Sequence, residues 1–321
     1  MIPIAALWLA LAIDRWLGEP PARWHPVVWT GCYLGWIGRR IAPVAGAARP
    51  RDWRRLAAGT LAWCIGAAMT LAAACGWLAL ARRMPAWAAV PWLALALKPL
   101  LAWRLLHEEV QAVETALGRS LDEGRAQLAR LVSRDVAGLD PGQVREAAIE
   151  SLAENLNDSL VAPLFWFVLF GLPGAACYRF ANTADAMWGY RGEREGRDWT
   201  WAGRFAARAD DVLSWLPARI TALLLWLCAA PLQPRPGRAA AMLLREARKT
   251  PSPNSGWPMA AMALQLGIHL RKPGVYALHP EGRAPAGADT ARALMLATRV
   301  AWLAAACATA AIACLEALGP A

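Results

Sequence analysis

Three acidic side chains spaced four residues apart give the strongest sign of chemistry in this sequence. Glu150, Glu154 and Asp158 stand at i, i+4 and i+8, so a helix places all three on one face. Carboxylates arranged in this way can hold a divalent cation or exchange protons with a substrate. A solvated acidic face is the alternative interpretation, but the small and apolar residues between the acids are not typical of a helix built for water.

A second polar group follows an apolar, aromatic-rich stretch. Asn182, Thr183 and Asp185 offer an amide, a hydroxyl and a carboxylate within four residues, although a helix cap would use the same residue types. Further along, Asp210 and Asp211 lead directly into another apolar run. This acidic pair could bind a metal ion or form a structural ion pair.

Two further segments combine polar groups with turn-forming residues. Asp14 and His25 lie at the end of the first apolar run, where a capped turn with a hydrogen-bonded histidine is the alternative to a binding role. The segment TPSPNSGWP, residues 250–258, contains too many prolines for a helix and is predicted to be a structured loop. Ser252 and Asn254 in this loop could hold an anion, although the GxxxxGK[ST] phosphate-binding pattern is absent.

The elements that must position these groups are predicted to be membrane helices. Hydrophobic residues make up 57% of the 321 residues, and several apolar runs approach or exceed the ~20 residues that span a bilayer. The clearest runs are 56–81 and 300–318. Weaker candidates are 86–106, 160–181 and 212–232. The N-terminal run lacks a signal-peptide pattern and is expected to remain, inserted or packed.

The charge pattern indicates a membrane partner rather than nucleic acid. The net charge is +10, and basic residues cluster at 39–55 and 235–249, next to apolar runs. Basic loops beside membrane spans mark the cytoplasmic side. No nucleic-acid-binding motif accompanies them. The seven cysteines lack paired metal-type spacing and are interpreted as small hydrophobic residues.

We therefore predict one all-α, polytopic integral membrane domain over residues 1–321, with cytoplasmic helices. Residues 107–159 form an acid-rich, soluble helical segment within it, and Asp140 is placed to cap a helix that begins at Pro141. If 160–181 simply crossed the bilayer, the acids at 150–158 and the group at 182–185 would face opposite sides. The glycine- and proline-containing sequence 171–174 therefore predicts a re-entrant or broken helix.

Several blocks of sequence, in order along nearly the whole chain, resemble one family. They are Asp14, Gly18, Pro20 and His25-Pro26, then Ser133-Arg134-Asp135, AAIESLAENLNDSLVAPLFW at 147–166, NTADAMWGY at 182–190, ARADDVLSWLPARIT at 207–221 and SPNSGWPMAAMALQLGI at 252–268. The chain is similar to the adenosylcobinamide-phosphate synthase family, often called CobD or CbiB. It departs mildly from the family pattern around Asp158 and at Ala184 and Ala186, without loss of a charged group.

The resemblance implies an activity and its partners. The family joins adenosylcobyric acid, a corrinoid, to (R)-1-amino-2-propanol phosphate through an amide bond at the cytoplasmic membrane, using ATP and Mg²⁺, with the active site facing the cytoplasm. The activity that the resemblance implies is compatible with a homo-oligomer. The catalytic candidates are Glu150, Glu154, Asp158 and Asp185, and the metal-binding candidates are Glu154, Asp158, Asp210 and Asp211. The substrate- or phosphate-binding candidates are Asp14, His25, Arg134, Asn155, Asn182, Thr183, Arg208, Arg219, Ser252 and Asn254.

Two other classes of protein would fit parts of this pattern. A non-enzymatic membrane sensor, of the related type associated with β-lactamase regulation, would not need all of the polar blocks at once. A carrier or channel would instead line a pathway with the intramembrane acids.

Overall fold

The computed structural model describes residues 1–46, 51–229 and 236–318. Within these ranges the chain is mostly helical, as predicted, and its β-strands are confined to two short antiparallel hairpins. The first seven helices are α1 (Ile2–Leu17), α2 (Pro26–Ile41), α3 (Trp53–Ala81), α4 (Ala86–Leu97), α5 (Trp103–Leu117), α6 (Leu121–Leu128) and α7 (Pro141–Leu156). The other six are α8 (Ala162–Trp188), α9 (Arg204–Leu213), α10 (Trp215–Ala229), α11 (Pro236–Glu246), α12 (Gly256–Leu266) and α13 (Gly287–Leu318). The hairpins pair β1 (Glu193–Arg194) with β2 (Arg197–Asp198) and β3 (Leu270–Lys272) with β4 (Tyr276–Leu278).

Several helical segments are long and apolar enough to cross a membrane. Among the described residues they are Trp53–Ala81, Ala86–Leu117, Pro141–Trp188 and Gly287–Leu318, and a fifth arises if α9 and α10, bent by 46°, count as one span. These segments contain the predicted runs, although residues 230–232 of the run 212–232 lie outside the described residues, as do 47–50 and 235 of the basic clusters. The chain is therefore a polytopic membrane protein.

The helix α8 is broken at Gly171, which confirms the predicted interruption. Gly171 has φ 63° and ψ −154°, a backbone conformation that only glycine adopts readily. A side-chain carbon on Gly174 would overlap the carbonyl oxygen of Trp166. Residues eight apart in a straight helix are separated by about 12 Å, so this close approach requires a sharp turn of the chain between them.

Substituting Gly171 should therefore destabilise the protein. We expect Gly171→Ala to lower the free energy of unfolding by roughly 1–3 kcal/mol, because a side chain strains this backbone conformation. The matched control is Gly76→Ala within α3, where an added carbon meets nothing within 4 Å. This control should be neutral or slightly stabilising, by up to about 1 kcal/mol. Denaturant titration of the two detergent-solubilised variants compares them, and equal stabilities would contradict the account.

The chain divides into two compact units, of which the first comprises residues 1–101, 163–213 and the chain from 308 onward. Its core lies among α2, α3 and α8. The rings of Trp188 and Trp199 are stacked there, and the indole N–H of Trp188 donates to the carbonyl of Leu34 at 3.2 Å. The Tyr33 hydroxyl donates to the carbonyl of Ala62 at 2.7 Å. Part of the NTADAMWGY block is thus structural, because its tryptophan belongs to this core.

The second unit comprises residues 102–162 and 214–307. The predicted cap at the start of α7 is confirmed, since Asp140 accepts from the backbone N–H of Gln143 and the Gln143 side chain accepts from the N–H of Asp140, both at 2.9 Å. Within this unit, Glu114 of α5 accepts hydrogen bonds from Arg145 and Thr290. These contacts fix α7, which carries Glu150 and Glu154 and leads directly to Asp158, against its neighbours.

Candidate functional site

The first of the three spaced acids is buried and paired. Glu150 is 5% exposed, and its Oε2 accepts a hydrogen bond from Nη2 of Arg134 at 2.8 Å. The second oxygen of Glu150 and Nε of Arg134 are also buried. The phenol of Tyr276 also hydrogen-bonds the Glu150 carboxylate, so the buried atom without a partner in the described part of the chain is Nε of Arg134.

The other two acids of this face lie nearer to solvent. Glu154 is exposed and Asp158 is half-buried, while Glu150 lies at the buried end of the row. The amide of Asn155 folds back onto its own helix and donates to the carbonyl and hydroxyl of Ser151 at 2.9 and 3.2 Å. The face therefore runs from a buried, arginine-paired carboxylate to an accessible one, as a site open to a ligand requires.

A tyrosine that the sequence did not single out joins this face. Tyr276 lies on β4, in the hairpin that Glu146 anchors by accepting from the backbone N–H of Arg271 at 2.8 Å. Burial raises the pKa of the Tyr276 phenol above its ordinary value, and the charges of Glu150 and Glu154 raise it further. The phenol thus stays protonated beside two carboxylates. No local sequence signal could have found it, because the hairpin is more than a hundred residues from α7.

The loop predicted at 250–258 is structured, with the difference that α12 already begins at Gly256. Pro258 is accommodated because the first turn of a helix does not need its N–H group. The Ser252 hydroxyl accepts from the backbone N–H groups of Asn254 and Ser255 at 3.2 and 3.3 Å. Those two donors are used inside the loop, so the anion-binding role of Ser252 and Asn254 stays a prediction.

Arg219 joins this loop to α10. Its guanidinium lies 4.1 Å from the ring of Trp215 and 4.7 Å from that of Trp257, and it donates to Oδ1 of Asn254 at 3.2 Å and to the carbonyl of Pro253. The structure therefore brings three predicted phosphate-binding residues of α10 and this loop close together: Arg219, Ser252 and Asn254. Stacking between two indoles orients the cation strongly.

In the first unit, the polar groups of α8 and α9 meet. Asn182 donates its amide N–H to Oδ1 of Asp210 at 3.4 Å, and the Thr183 hydroxyl donates to the carbonyl of Arg179 at 2.7 Å. The carboxylate of Asp185 lies against Gly189, where a side-chain carbon would overlap it. The glycine of NTADAMWGY thus makes room for the aspartate.

Asp210 and Asp211 of α9 have a basic neighbour, Arg208, in the preceding helical turn. Nη1 of Arg208 lies 3.7 Å from Oδ2 of Asp211, a half-exposed ion pair of modest strength. No group of three or more histidine, cysteine, aspartate or glutamate side chains in the described part of the chain is arranged to hold a metal ion. Magnesium usually takes only one or two protein carboxylates together with water and substrate phosphates, so a metal-binding role of Glu154, Asp158, Asp210 and Asp211 stays a prediction.

The first apolar run ends at a buried ionic cluster. Asp14 and Lys98 are 1% and 2% exposed, and Nζ of Lys98 lies 3.2 Å from Oδ1 of Asp14 and 2.7 Å from Oε1 of Glu19. Burial acts to raise the pKa of Glu19, but hydrogen bonds from His25 and Lys98 outweigh it and hold this pKa below its ordinary value. A lone lysine in an apolar run, such as Lys98 in the run 86–106, is itself a signal for a buried partner.

His25 is part of this cluster and also caps a helix. Its Nδ1 accepts from the backbone N–H of Val27 at 3.2 Å, and its Nε2 lies 3.0 Å from Oε2 of Glu19. Because Nδ1 is an acceptor, we assign the ring proton to Nε2, which donates to Glu19. The capped turn with a hydrogen-bonded histidine, left open by the sequence, is what the structure shows. A role of His25 in substrate binding stays a prediction.

These features define a class of protein: a helical, multi-pass membrane protein with ionisable side chains set into and beside its apolar helices, where such residues are costly unless they serve a function. The chain belongs to the family described as CobD/Cbib protein, whose model matches residues 7–311. The resemblance seen in the sequence is thereby confirmed.

Three relatives show how far the similarity extends. The chain is 42% identical to the probable cobalamin biosynthesis protein CobD of Pyrococcus abyssi, over 92% of this chain and 91% of that protein. It is 38% identical to the probable CobD protein of Methanothermobacter thermautotrophicus, over 87% of each, and 40% identical to the cobalamin biosynthesis protein CobD of Brucella suis, over 86% and 84%. No solved structure matches the chain.

Proposed function

We propose that this protein is an ATP-dependent amide ligase of cobalamin biosynthesis, which joins adenosylcobyric acid to (R)-1-amino-2-propanol phosphate to give adenosylcobinamide phosphate. The observation that carries the proposal is the family match over residues 7–311, together with relatives named for cobalamin biosynthesis. The buried Glu150–Arg134 pair supports it, because Nε of Arg134 lacks a hydrogen-bond partner among the described residues and a ligand is expected where such an atom remains.

The chemistry follows from the poor reactivity of a carboxylate towards amines. One oxygen of the substrate carboxylate attacks the γ-phosphorus of ATP, which forms an acyl phosphate and releases ADP. The amine nitrogen then attacks the acyl carbon, the carbon–oxygen bond to phosphate breaks, and the nitrogen loses a proton. Glu150, Glu154, Asp158 and Asp185 are the proposed acid–base and catalytic carboxylates.

The ligands of this reaction carry many negative charges that the protein must balance. Mg²⁺ would neutralise phosphate charge, held by Glu154 and Asp158 in one unit or by Asp210 and Asp211 in the other. The proposed phosphate-binding residues are Arg134, Arg208 and Arg219, since arginine can grip phosphate through two parallel hydrogen bonds. Asn155, Asn182 and Thr183 would orient the bound ligands. We place the reaction on the cytoplasmic side of the cytoplasmic membrane, where ATP is available.

Purified protein in detergent tests the proposal directly. Incubation with adenosylcobyric acid, (R)-1-amino-2-propanol phosphate, ATP and Mg²⁺ should yield a product with the mass of adenosylcobinamide phosphate, and omission of ATP should abolish it. Absence of product from a folded sample would favour the sensor alternative. Ion-dependent uptake of a corrinoid into liposomes, without amide formation, would favour the transporter.

A further inference from the structure

A turn of π-helix interrupts the helix that carries the three spaced acids. Residues Asn157–Val161 adopt this wider winding between α7 and α8, and Asp158 is its second residue. Single π-turns within α-helices are rare and occur frequently at functional sites. This one redirects the side chains that follow Glu154, so the position of Asp158 depends on it.

A chain of buried hydrogen bonds ends on Asp158. The side-chain Nδ2 of Asn157 lies 2.7 Å from Oδ1 of Asp158, and Oδ1 of Asn157 lies 3.1 Å from the hydroxyl of Thr221 on α10. Asn157 is 2% exposed and Thr221 is fully buried, whereas Asp158 is half-buried. The chain therefore leads from the protein interior to an accessible carboxylate.

The direction of each hydrogen bond follows from the chemistry of the groups. An ionised carboxylate only accepts, so the amide nitrogen of Asn157 must be the atom that faces Asp158. The amide oxygen then faces Thr221; this oxygen and the carbonyl of Pro217, at 3.1 and 2.9 Å from the hydroxyl, can both only accept, so the single hydroxyl hydrogen of Thr221 is shared between them. Thr221 thus fixes the amide, and the amide fixes the carboxylate.

We propose that Thr221 and Asn157 are positioning residues that orient the Asp158 carboxylate to bind the Mg²⁺ of a metal–nucleotide complex. The inference rests on the proposed function and extends it to two residues that touch no ligand themselves. The amide nitrogen of Asn157 donates to Oδ1 of Asp158, and this contact restricts the rotation of the carboxylate. Partners of metal ligands commonly tune affinity in this way.

Binding of Mn²⁺ as a paramagnetic substitute for Mg²⁺ tests the proposal without requiring turnover. With a non-hydrolysable ATP analogue present, electron paramagnetic resonance titration of purified protein gives the Mn²⁺ dissociation constant. We expect Thr221→Val, which keeps the shape but loses the hydroxyl, to weaken Mn²⁺ binding by about 10-fold. Thr221→Ser, which restores the hydroxyl, should bind within about twofold of wild type. In an Asp158→Asn background, Thr221→Val should cause no further change.

A matched control separates positioning from general damage to the fold. Thr298→Val on α13 removes a hydroxyl that donates to the carbonyl of Leu294 of its own helix at 2.7 Å, and it should leave Mn²⁺ binding unchanged. Equal Mn²⁺ affinity of wild type and Thr221→Val would overturn the positioning role, as would equal affinity of wild type and Asp158→Asn. If these results occurred while the wild type still made the amide product, the proposed function would stand and this inference alone would fall.

Discussion

The Glu154→Gln variant is expected to fold and insert like the wild type but to lose ATP-dependent amide synthesis by at least about 100-fold. Glu154 is the exposed member of the carboxylate row on α7, with the paired Glu150 one turn away on its buried side. An amide keeps the shape of the side chain but supplies no anionic charge to a metal–nucleotide complex. Mass spectrometric quantification of adenosylcobinamide phosphate measures the loss. We expect the same result for Asp185→Asn.

A matched substitution shows whether the effect belongs to this face. Glu123 of α6 lies in the same unit, is half-exposed, and pairs with Arg119 one turn away at 3.1 Å. Glu123→Gln should change the rate by no more than a few-fold, since such exposed pairs contribute only ~0–1 kcal/mol. Near-normal synthesis by both Glu154→Gln and Asp185→Asn, with membrane insertion verified, would contradict the proposed carboxylate site.

The Lys98→Met variant is expected to be the least stable of the single substitutions considered. Lys98 is almost fully buried between the carboxylates of Asp14 and Glu19. Removing its charge leaves Asp14 in a buried position without this partner, and breaking a buried ion pair costs about 3–5 kcal/mol. The free energy of unfolding, measured by denaturant titration in detergent, should fall by that amount.

Two further variants test whether the loss of unfolding free energy in Lys98→Met comes from the buried charges. Lys272→Met removes a lysine of β3 that is half-exposed, and its effect should lie within about 0.5 kcal/mol. Adding Asp14→Asn to Lys98→Met should recover part of the stability, because it removes the buried negative charge that Lys98 no longer balances. Wild-type stability of Lys98→Met would show that the cluster is not held together by its charges.

Local features of this fold could be read from the sequence because their causes are local. The apolar runs predicted the membrane helices, Asp140 predicted the start of α7, and the 171–174 sequence predicted the break in α8. Each depends on residues within a few positions of one another. Apolar runs, capping residues and glycine-dependent backbone conformations can each be recognised from the local amino-acid sequence.

The pairings that build the candidate site could not be predicted in the same way. Arg134 and Glu150 were each singled out, but their contact across 16 positions was not, and neither Tyr276 nor Thr221 was singled out as a site residue. Such contacts depend on how the helices pack. The π-turn after α7 was also missed, because a change in hydrogen-bond winding over five residues has no distinctive composition.

Transfer of an oxygen isotope tests the central claim most directly. Adenosylcobyric acid labelled with ¹⁸O in its reactive carboxylate is incubated with the protein, ATP and the amino-alcohol phosphate, and the released phosphate is analysed by mass spectrometry. If the carboxylate is activated as an acyl phosphate, one labelled oxygen appears in inorganic phosphate for each amide formed. Label in AMP instead of phosphate, or amide formation without ATP cleavage, would contradict the account.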